Sequence, residues 1–345
     1  MAKNKGYIGI MVANRGQRKG ILQRYLRSKT SNVRLYCFTP SSVDWKSKTI
    51  TGLHRSGHTW KQRRFPFPEV VYNKCYTPDR KWMRGFKREL GKDKCFNHIT
   101  QFDKLEIYGV LSGTELRRYL PDTVAYDQER VTGLLEAYPV LYLKPCKGWQ
   151  GKGVYRVELK ESGEIHIGHH HFKPELIAPN VSAFLEAMHQ RIGEKPYIIQ
   201  RGIEAQQVNG HNFDIRVLVQ KNKKGFWTVT NTVSRIAHAH YFNTGICEKV
   251  VLSEKLLPSL YPAERVHTLI QSLYDISLSA AEIIENQTRS HLGELSVDFV
   301  LDPDGGLWII EVNGKPQKTL YKEFDSYYKV YKRPLQYARY LIARD

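Results

Sequence analysis

The chain reads as a mixed α/β and α+β protein, with an open α/β unit first and antiparallel units after it. Three stretches carry that expectation: a strand–helix–strand start, a strand–glycine loop–strand unit near residue 150, and a hairpin near residue 305. At the start, Tyr7 to Ala13 is an apolar run suited to a buried strand. Gly16 to Ser28 then sets Ile21, Leu22, Tyr25 and Leu26 at helical spacing. Val33 to Phe38 and Glu69 to Tyr72 are the next strands, with a basic, proline-containing loop between them. This β-α-β order implies a small open α/β unit to about residue 95. No GxGxxG follows the first strand, so a dinucleotide site is unsupported there.

A helix is expected over Lys104 to Leu120, stopping before Pro121. Val140 to Lys144 is a strand, Pro145 to Gly153 a glycine-rich loop, and Val154 to Leu159 a second strand. Val181 to Arg191 is an amphipathic helix. Tyr197 to Gln200 is a strand, and Asp214 to Gln220 pairs with Trp227 to Val233 across a lysine-rich turn. Ala263 to Glu285 is a long helix, the hairpin follows, and a basic, tyrosine-rich helix ends the chain. No repeat or low-complexity linker interrupts this order.

The formal net charge is 53 − 34 = +19. Such a field attracts polyanions, whether nucleic acid, acidic polymer, anionic membrane or nucleotide, and says nothing about chemistry. Basic clusters occur at Lys61 to Arg64, Arg80 to Lys94 and Lys329 to Arg333, mostly as solvated faces. No apolar run approaches the roughly 18–20 residues a bilayer span needs. The basic N-terminus lacks a small-residue cleavage site after its apolar stretch, so it reads as a strand and not a signal peptide. The five cysteines are scattered and form no CxxC pair, which points to reduced thiols in a cytosolic protein.

The hairpin, LSVDFVLDPDGGLWIIEVNGKP, carries the most chemical information. Antiparallel pairing across the turn Pro303–Gly306 sets Asp302 opposite Leu307, Val300 opposite Ile309 and Asp298 opposite Glu311. One face then holds Val297, Phe299, Leu301, Trp308, Ile310 and Val312 as core, and the other holds Asp298, Glu311 and Asn313. Opposed like charges are destabilising, and a cation between them reverses the sign. Oxygen donors of this kind suit Mg²⁺. The plainer alternative is a solvated hairpin end with two acids on it.

The glycine-rich loop lacks GK[ST] and precedes a strand, so it is no P-loop. Its backbone N–H groups can close over phosphates as a flap, with Lys144 adding a point charge. The plainer reading is an ordinary glycine-rich hairpin. Trp149 has no core partner by pattern, which favours contact with a ligand. Asp214 and Arg216 share a strand face, suited to ribose and to a phosphoryl group, or else to a surface ion pair. His169, His170 and His171 invite a metal, yet strand alternation sends them to opposite faces and no acidic or cysteine partner sits at ligand spacing. GxSxG is absent, and no cysteine has a locally placed histidine.

Taken in order, these segments resemble the ATP-grasp superfamily. The series is Asp103-Lys104, LPDT at Leu120 to Thr123, YLKPCKGWQGKGV at Tyr142 to Val154, YIIQRGI at Tyr197 to Ile203, NFDIRVLV at Asn212 to Val219, SVDF around Asp298, and EVNGKP at Glu311 to Pro316. Within it the chain is most similar to the endospore coat-associated YheC/YheD-type group, which Val71-Tyr72-Asn73-Lys74 also resembles, with lysine where that group usually has arginine at 74. The resemblance implies a pre-ATP-grasp α/β domain over 1–95. It implies a small subdomain with the linker helix and flap over 96–200, and a C-terminal subdomain with the metal site over 201–345. The two subdomains would grip ATP. Lys104 and Lys144 would then contact phosphates, under a flap containing Gly148, Gly151 and Gly153. Gln200 and the main chain of Arg201, Gly202 and Ile203 would hold adenine, and Asp214 ribose. Asp298, Glu311 and Asn313 would bind Mg²⁺ as two ions. Arg216, Arg235 and Asn243 would face the transferring phosphoryl group and the acyl phosphate.

Two departures from the group's pattern stand out. Thr244-Gly245 follows Asn243 where a Gly-Gly pair is common, and Arg201 stands where related ligases often have an acid. The implied activity is an ATP- and Mg²⁺-dependent carboxylate–amine ligase acting through an acyl phosphate on an acidic or peptide-like substrate. A kinase on the same scaffold and a non-catalytic, basic coat-assembly or nucleic-acid-binding protein are the alternatives. The implied setting is the cytoplasm, with association with the spore coat.

Overall fold

The computed structural model describes residues 6–28, 34–76, 81–148 and 150–344; Trp149 lies outside the described residues. Three sheets succeed one another along the chain. The first contains β1 (Tyr7–Met11), β2 (Arg34–Phe38), β3 (Val43–Asp44), β4 (Thr49–Ser56), β5 (Thr59–Pro66), β6 (Val70–Asn73) and β7 (Cys95–Phe96), in the order β3-β4-β2-β1-β6-β7 with β5 on β4. Its central pairs are parallel, as the β-α-β reading expects, with α1 (Gln17–Arg27) between β1 and β2 and α2 (Lys81–Leu90) before β7.

The second sheet is antiparallel: β8 (Thr123–Ala125), β9 (Val140–Pro145), β10 (Tyr155–Leu159), β11 (Ile165–His169), β12 (Leu176–Ala178) and β13 (Tyr197–Arg201), ordered β12-β11-β10-β9-β13-β8. Before it comes α3 (Lys104–Ser112), and within it α4 (Gln128–Ala137) and α5 (Val181–Ile192). The third sheet is also antiparallel: β14 (Gln207–Val208), β15 (His211–Lys221), β16 (Trp227–Ala237), β17 (Cys247–Leu252), β18 (Glu294–Leu301) and β19 (Leu307–Asn313), ordered β17-β16-β15-β18-β19 with β14 on β15. Its helices are the single turn α6 (Ser253–Leu256), the long α7 (Ala263–Thr288) and α8 (Tyr327–Ile342).

The alternation of β15 explains how this sheet serves two purposes. Ile215, Val217 and Val219 enter a core with Leu273, Ile276 and Ile284 of α7. Asp214 and Arg216 point the other way, and Leu218 on that same face joins a second core with Val330, Leu335 and Ala338 of α8. That core also contains Ile8, Ile10 and Leu22, so α8 bridges the first and third sheets. The second sheet packs Leu141, Leu143 and Ile199 against α4 and α5.

Four sequence expectations are corrected. The basic loop before β6 contains the hairpin β4–β5, paired from Thr49–Pro66 to Ser56–Thr59 around a Gly57 with φ of 59°. Most of β5 is exposed on both faces, which erases the period-2 apolar signal. The helix expected to run to Leu120 ends at Ser112, and Thr114 caps a separate 3₁₀ turn, Glu115–Tyr119, by accepting from Leu116 N at 3.3 Å. In the C-terminal hairpin Asp298 does face Glu311, but an irregularity between Asp298 and Phe299 resets the register, so Leu301 faces Leu307. Leu307 and Ile309 are therefore core, whereas Trp308 and Ile310 are only half-buried.

Asp214 and Arg216, read as a surface ion pair or a ligand pair, are both buried and do not bond each other; each pairs across to another strand.

A second buried cluster welds the first sheet to the third. Glu294, 1% exposed, accepts from Lys318 Nζ at 2.5 Å and Gln220 Nε2 at 2.8 Å, receives the Tyr72 hydroxyl, and has Lys74 Nζ at 3.9 Å. Lys318 also donates to the Tyr25 and Tyr72 hydroxyls at 3.0 Å each. Burial alone would raise the Glu294 carboxyl, but Lys318 and Lys74 outweigh it and bring it from 4.5 down to about 2. Glu294→Ala should therefore leave two buried ammonium groups uncompensated and cost about 3–5 kcal/mol in urea unfolding. Because the folded carboxyl is depressed, its contribution is present above the ordinary value of 4.5 and fades as pH falls toward about 2. Comparing unfolding of wild type and variant across that window checks the sign.

Candidate active site

A cavity of about 620 Å³ lies between the second and third sheets, within the usual range for small-molecule sites. Its floor is a row of charges set by strand register. Arg235 sits opposite Asp214, Arg216 opposite Asp298, and Asp298 opposite Glu311. Arg216 grips Asp298 with Nε at 2.7 Å and Nη2 at 2.5 Å. Arg235 grips Asp214 with Nε at 2.7 Å and also with Nη2, which reaches Asp298 at 3.1 Å. In both arginines Nη1 makes no hydrogen bond within the described residues. Lys104 closes the row on Glu311 at 2.9 Å.

These pairings decide the ionisation of the row. Burial would raise the Asp298 carboxyl, but Arg216 and then Arg235 hold it below the ordinary range. Burial and the Asp298 charge push Glu311 up, and Lys104 more than offsets them. Both acids are therefore carboxylates at neutral pH. Lys104 is the first residue of α3, an unfavourable end of the helix dipole for a cation, and Asp103 caps that end by accepting from Leu105 N at 3.0 Å. The backbone N–H of Lys104 also donates to Cys146 O at 2.9 Å, tying the helix start to the glycine-rich loop.

Asn313 bears on whether a cation fits. Its Nδ2 lies 3.3 Å from Asp298 Oδ2 and 3.3 Å from Glu311 Oε2, so the amide occupies the point where both carboxylates converge. Turning that amide over presents Oδ1 at the same point. Three oxygen donors then meet there, which is the chemistry of a hard divalent cation. The residues present fit such an ion.

The roof comes from β9 and the loop after it. Tyr142 and Lys144 alternate inward, and Lys144 Nζ donates to Gln200 Oε1 at 2.5 Å, while Gln200 Nε2 donates to Thr123 Oγ1 at 3.0 Å. Burial pushes the Lys144 ammonium down to about 8, with Glu311 pulling against the shift and Lys104 adding to it. In the loop Gly151 has φ of 68° and packs on Asn243; a Cβ there would lie 1.7 Å from Asn243 Nδ2. Asn243 Nδ2 approaches Gly151 O at 3.4 Å and His170 Nδ1 at 3.0 Å, and Asn243 Oδ1 accepts from Gly245 N at 2.7 Å. The Thr-Gly pair thus makes a tight turn, and the Thr244 hydroxyl donates to Asp214 at 2.5 Å.

The cavity gathers most of the residues singled out from the sequence. Lys104, Lys144, Gly148, Gly151, Gln200, Arg201 and Ile203 line it, as do Asp214, Arg216, Arg235, Asn243, Asp298, Glu311 and Asn313. Gly153 and Gly202 do not. Gly153 packs beneath the loop on the Tyr197 hydroxyl. The Gly202 N–H is spent on Val140 O at 2.8 Å and the Arg201 N–H on Asp122 O at 2.8 Å, so of the three only the Ile203 N–H has no partner among the described residues. No group of three or more His, Cys, Asp or Glu side chains among the described residues could hold a metal, the histidine run included. His170 and His171 instead form a strap across to Tyr241 and Phe242. Sequence reasoning missed Tyr142, Thr244 and Ile310. Alternation with Lys144 could have found Tyr142; Ile310 was hidden by the hairpin irregularity.

A family model described as YheC/D like ATP-grasp matches residues 92–341. The endospore coat-associated protein YheD of Bacillus subtilis (strain 168) is 26% identical over 326 residues, covering 89% of this chain and 70% of that protein. The endospore coat-associated protein YheC of the same organism is 22% identical over 342 residues, covering 92% and 91%. Among solved structures, D-alanyl-alanine synthetase A from Vibrio cholerae superposes with a TM-score of 0.60 at 11% identity, covering 99% of this chain and all of that one, and so shares the fold. No helix of the described residues is long and apolar enough to cross a membrane.

Gly151→Ala tests how the loop is closed. The left-handed backbone alone costs an L-residue about 1–2 kcal/mol, and the new methyl displaces Asn243. Amide exchange at Val154, whose N–H donates to Gly151 O at 3.2 Å, should quicken by about tenfold or more while β15 keeps its protection. An unchanged exchange pattern would show that the Asn243 contact does not hold the loop.

Proposed function

This chain belongs to the YheC/D-like ATP-grasp family, and from that premise we propose that it is an ATP- and Mg²⁺-dependent carboxylate–amine ligase. Its substrate would be acidic or peptide-like. The observation that carries this reading is the convergence of Asp298, Glu311 and Asn313 at one end of a cavity whose other walls supply Lys104, Lys144 and a glycine-rich loop. Adenine would lie by β13, against Gln200 and the open Ile203 N–H, with phosphates under the Gly148–Gly151 stretch between Lys104 and Lys144. Asp214 already holds Arg235 and Thr244, so a ribose hydroxyl would reach it only through its remaining lone pairs.

Asp298, Glu311 and Asn313 would hold Mg²⁺, as two ions, which neutralises phosphate charge. The ATP γ-phosphoryl passes to a substrate carboxylate oxygen, forming an acyl phosphate and ADP. An amine then attacks the acyl carbon, forming the amide and expelling phosphate. The chain's part in the first step is positioning and charge neutralisation. The open Nη1 groups of Arg216 and Arg235 are the donors for the phosphoryl and acyl-phosphate oxygens, held rigidly by their carboxylates. Asn243 would complete that side from beneath the loop. The names of the two curated relatives support association with a spore coat as the setting; a cytoplasmic site of catalysis is part of the proposal.

Product analysis with a carboxylate and amine panel should give ADP, phosphate and an amide; a stable phosphorylated product would make the chain a kinase. Asp298→Asn and Glu311→Gln should each lower turnover by about 10²-fold or more. Turnover left intact in both would reject the assignment.

Lys144 sets a pH dependence. Its ammonium is depressed to about 8, so its pull on phosphate is full below that value and is lost as pH rises through it. Affinity for MgATP, followed by calorimetry between pH 7 and 9, should fall with an inflection near 8, and Lys144→Arg should remove the inflection.

A further inference from the structure

Two lysines leave β19 on the same short segment and end in opposite situations. Lys318 turns inward and is met by Glu294 at 2.5 Å. Lys315 turns to the cavity, where it is half-buried and has no carboxylate within ion-pair distance among the described residues. Its neighbour is the ring of Tyr76, 5.0 Å from Nζ. The backbone leading to it is tightly held: a Cβ at Gly314 would lie 3.0 Å from Phe102 and 3.3 Å from Ile99 O. Lys315 is therefore placed, and its charge is unspent among the described residues.

The other cations of the cavity floor are each paired with a carboxylate, the arginines through Nε and Nη2. Lys104 is on Glu311, Arg216 on Asp298, and Arg235 on Asp214 and Asp298. A half-buried ammonium backed by an aromatic face and with Lys74 as a like-charged neighbour is costly unless an anion completes it. Lys315 stands two residues beyond Asn313, past the end where the three oxygen donors converge. An anion there would adjoin the phosphoryl end of a bound nucleotide and could not be the nucleotide's own base or sugar.

We propose that Lys315, backed by Tyr76, is the recognition residue for a carboxylate of the substrate. This rests on the ligase reading for its role but not for its existence, since the anion subsite is a feature of the cavity alone. The carboxylate could be the one that is activated or a second one on the same molecule, and chain length in the probe separates the two.

The test uses the full chain, wild type, Lys315→Met and Lys315→Arg, titrated with acetate, glutarate and methylamine by calorimetry, with and without Mg²⁺ and a non-hydrolysable ATP analogue. A charge-assisted contact is worth roughly a tenfold or greater change in affinity. Wild type should bind the carboxylates and not methylamine. Lys315→Met should lose about tenfold or more for glutarate, Lys315→Arg should restore most of it, and nucleotide affinity should stay level in all three, which also shows that the variants fold. Equal losses for acetate and glutarate identify the activated carboxylate; a loss confined to the advantage of glutarate identifies a second one. Carboxylate binding unchanged in Lys315→Met, or absent from nucleotide-loaded wild type, overturns the proposal. A chain that binds no nucleotide yet loses glutarate on Lys315→Met keeps the anion subsite and rejects the ligase reading instead.

Discussion

Burying carboxylates is the constraint on which this molecule turns. Asp214, Asp298 and Glu294 are each 1% exposed, and a bare carboxylate at such depth is unstable. The third sheet meets that constraint by register. Antiparallel pairing delivers Arg235 to Asp214 and Arg216 to Asp298, while Lys104 reaches Glu311 from the start of α3 and Lys318 reaches Glu294 from beyond β19. Shifting β15 by one residue against β18 would turn Asp214 and Arg216 into the α7 core. The charged row therefore fixes the register as firmly as the apolar face does. It also keeps two guanidinium groups rigid with one Nη each directed away from their carboxylates.

The same face of β18 carries both halves of the architecture. Asp298 belongs to the cavity, while Glu294, two alternations further back past Ser296, belongs to the cluster that joins the first sheet to the third. Tyr25, Tyr72 and Lys74 come from the N-terminal unit and Lys318 from beyond β19. The N-terminal unit is consequently held at a fixed place relative to the cavity. Its residue Tyr76 can then form part of the cavity wall.

How much of this was legible depended on where the partner lies in sequence. The opposition of Asp298 and Glu311 could be read because hairpin pairing is local, and the irregularity that shifts the register falls on the turn side of that pair. The same irregularity made Ile310 unreadable. The helix and loop around the cavity were visible through alternation and glycine spacing. The β4–β5 hairpin was not, because exposed strands carry no apolar period. The pairing of Arg216 with Asp298 spans 82 residues, and that of Tyr72 with Glu294 spans 222. No local pattern reports contacts of that kind; only the motif order, through the family resemblance, anticipated that Asp214, Arg216, Arg235 and Asp298 share one site.

The most direct measurement is a crystal structure of the chain with Mn²⁺ and a non-hydrolysable ATP analogue, with the metal located by its anomalous signal. The account predicts metal signal bounded by Asp298, Glu311 and Asn313, the Asn313 amide turned so that Oδ1 faces it, and triphosphate between Lys104, Lys144 and the Gly148–Gly151 stretch. Metal bound elsewhere, or an ordered nucleotide with Asn313 Nδ2 still donating to both carboxylates, would contradict it.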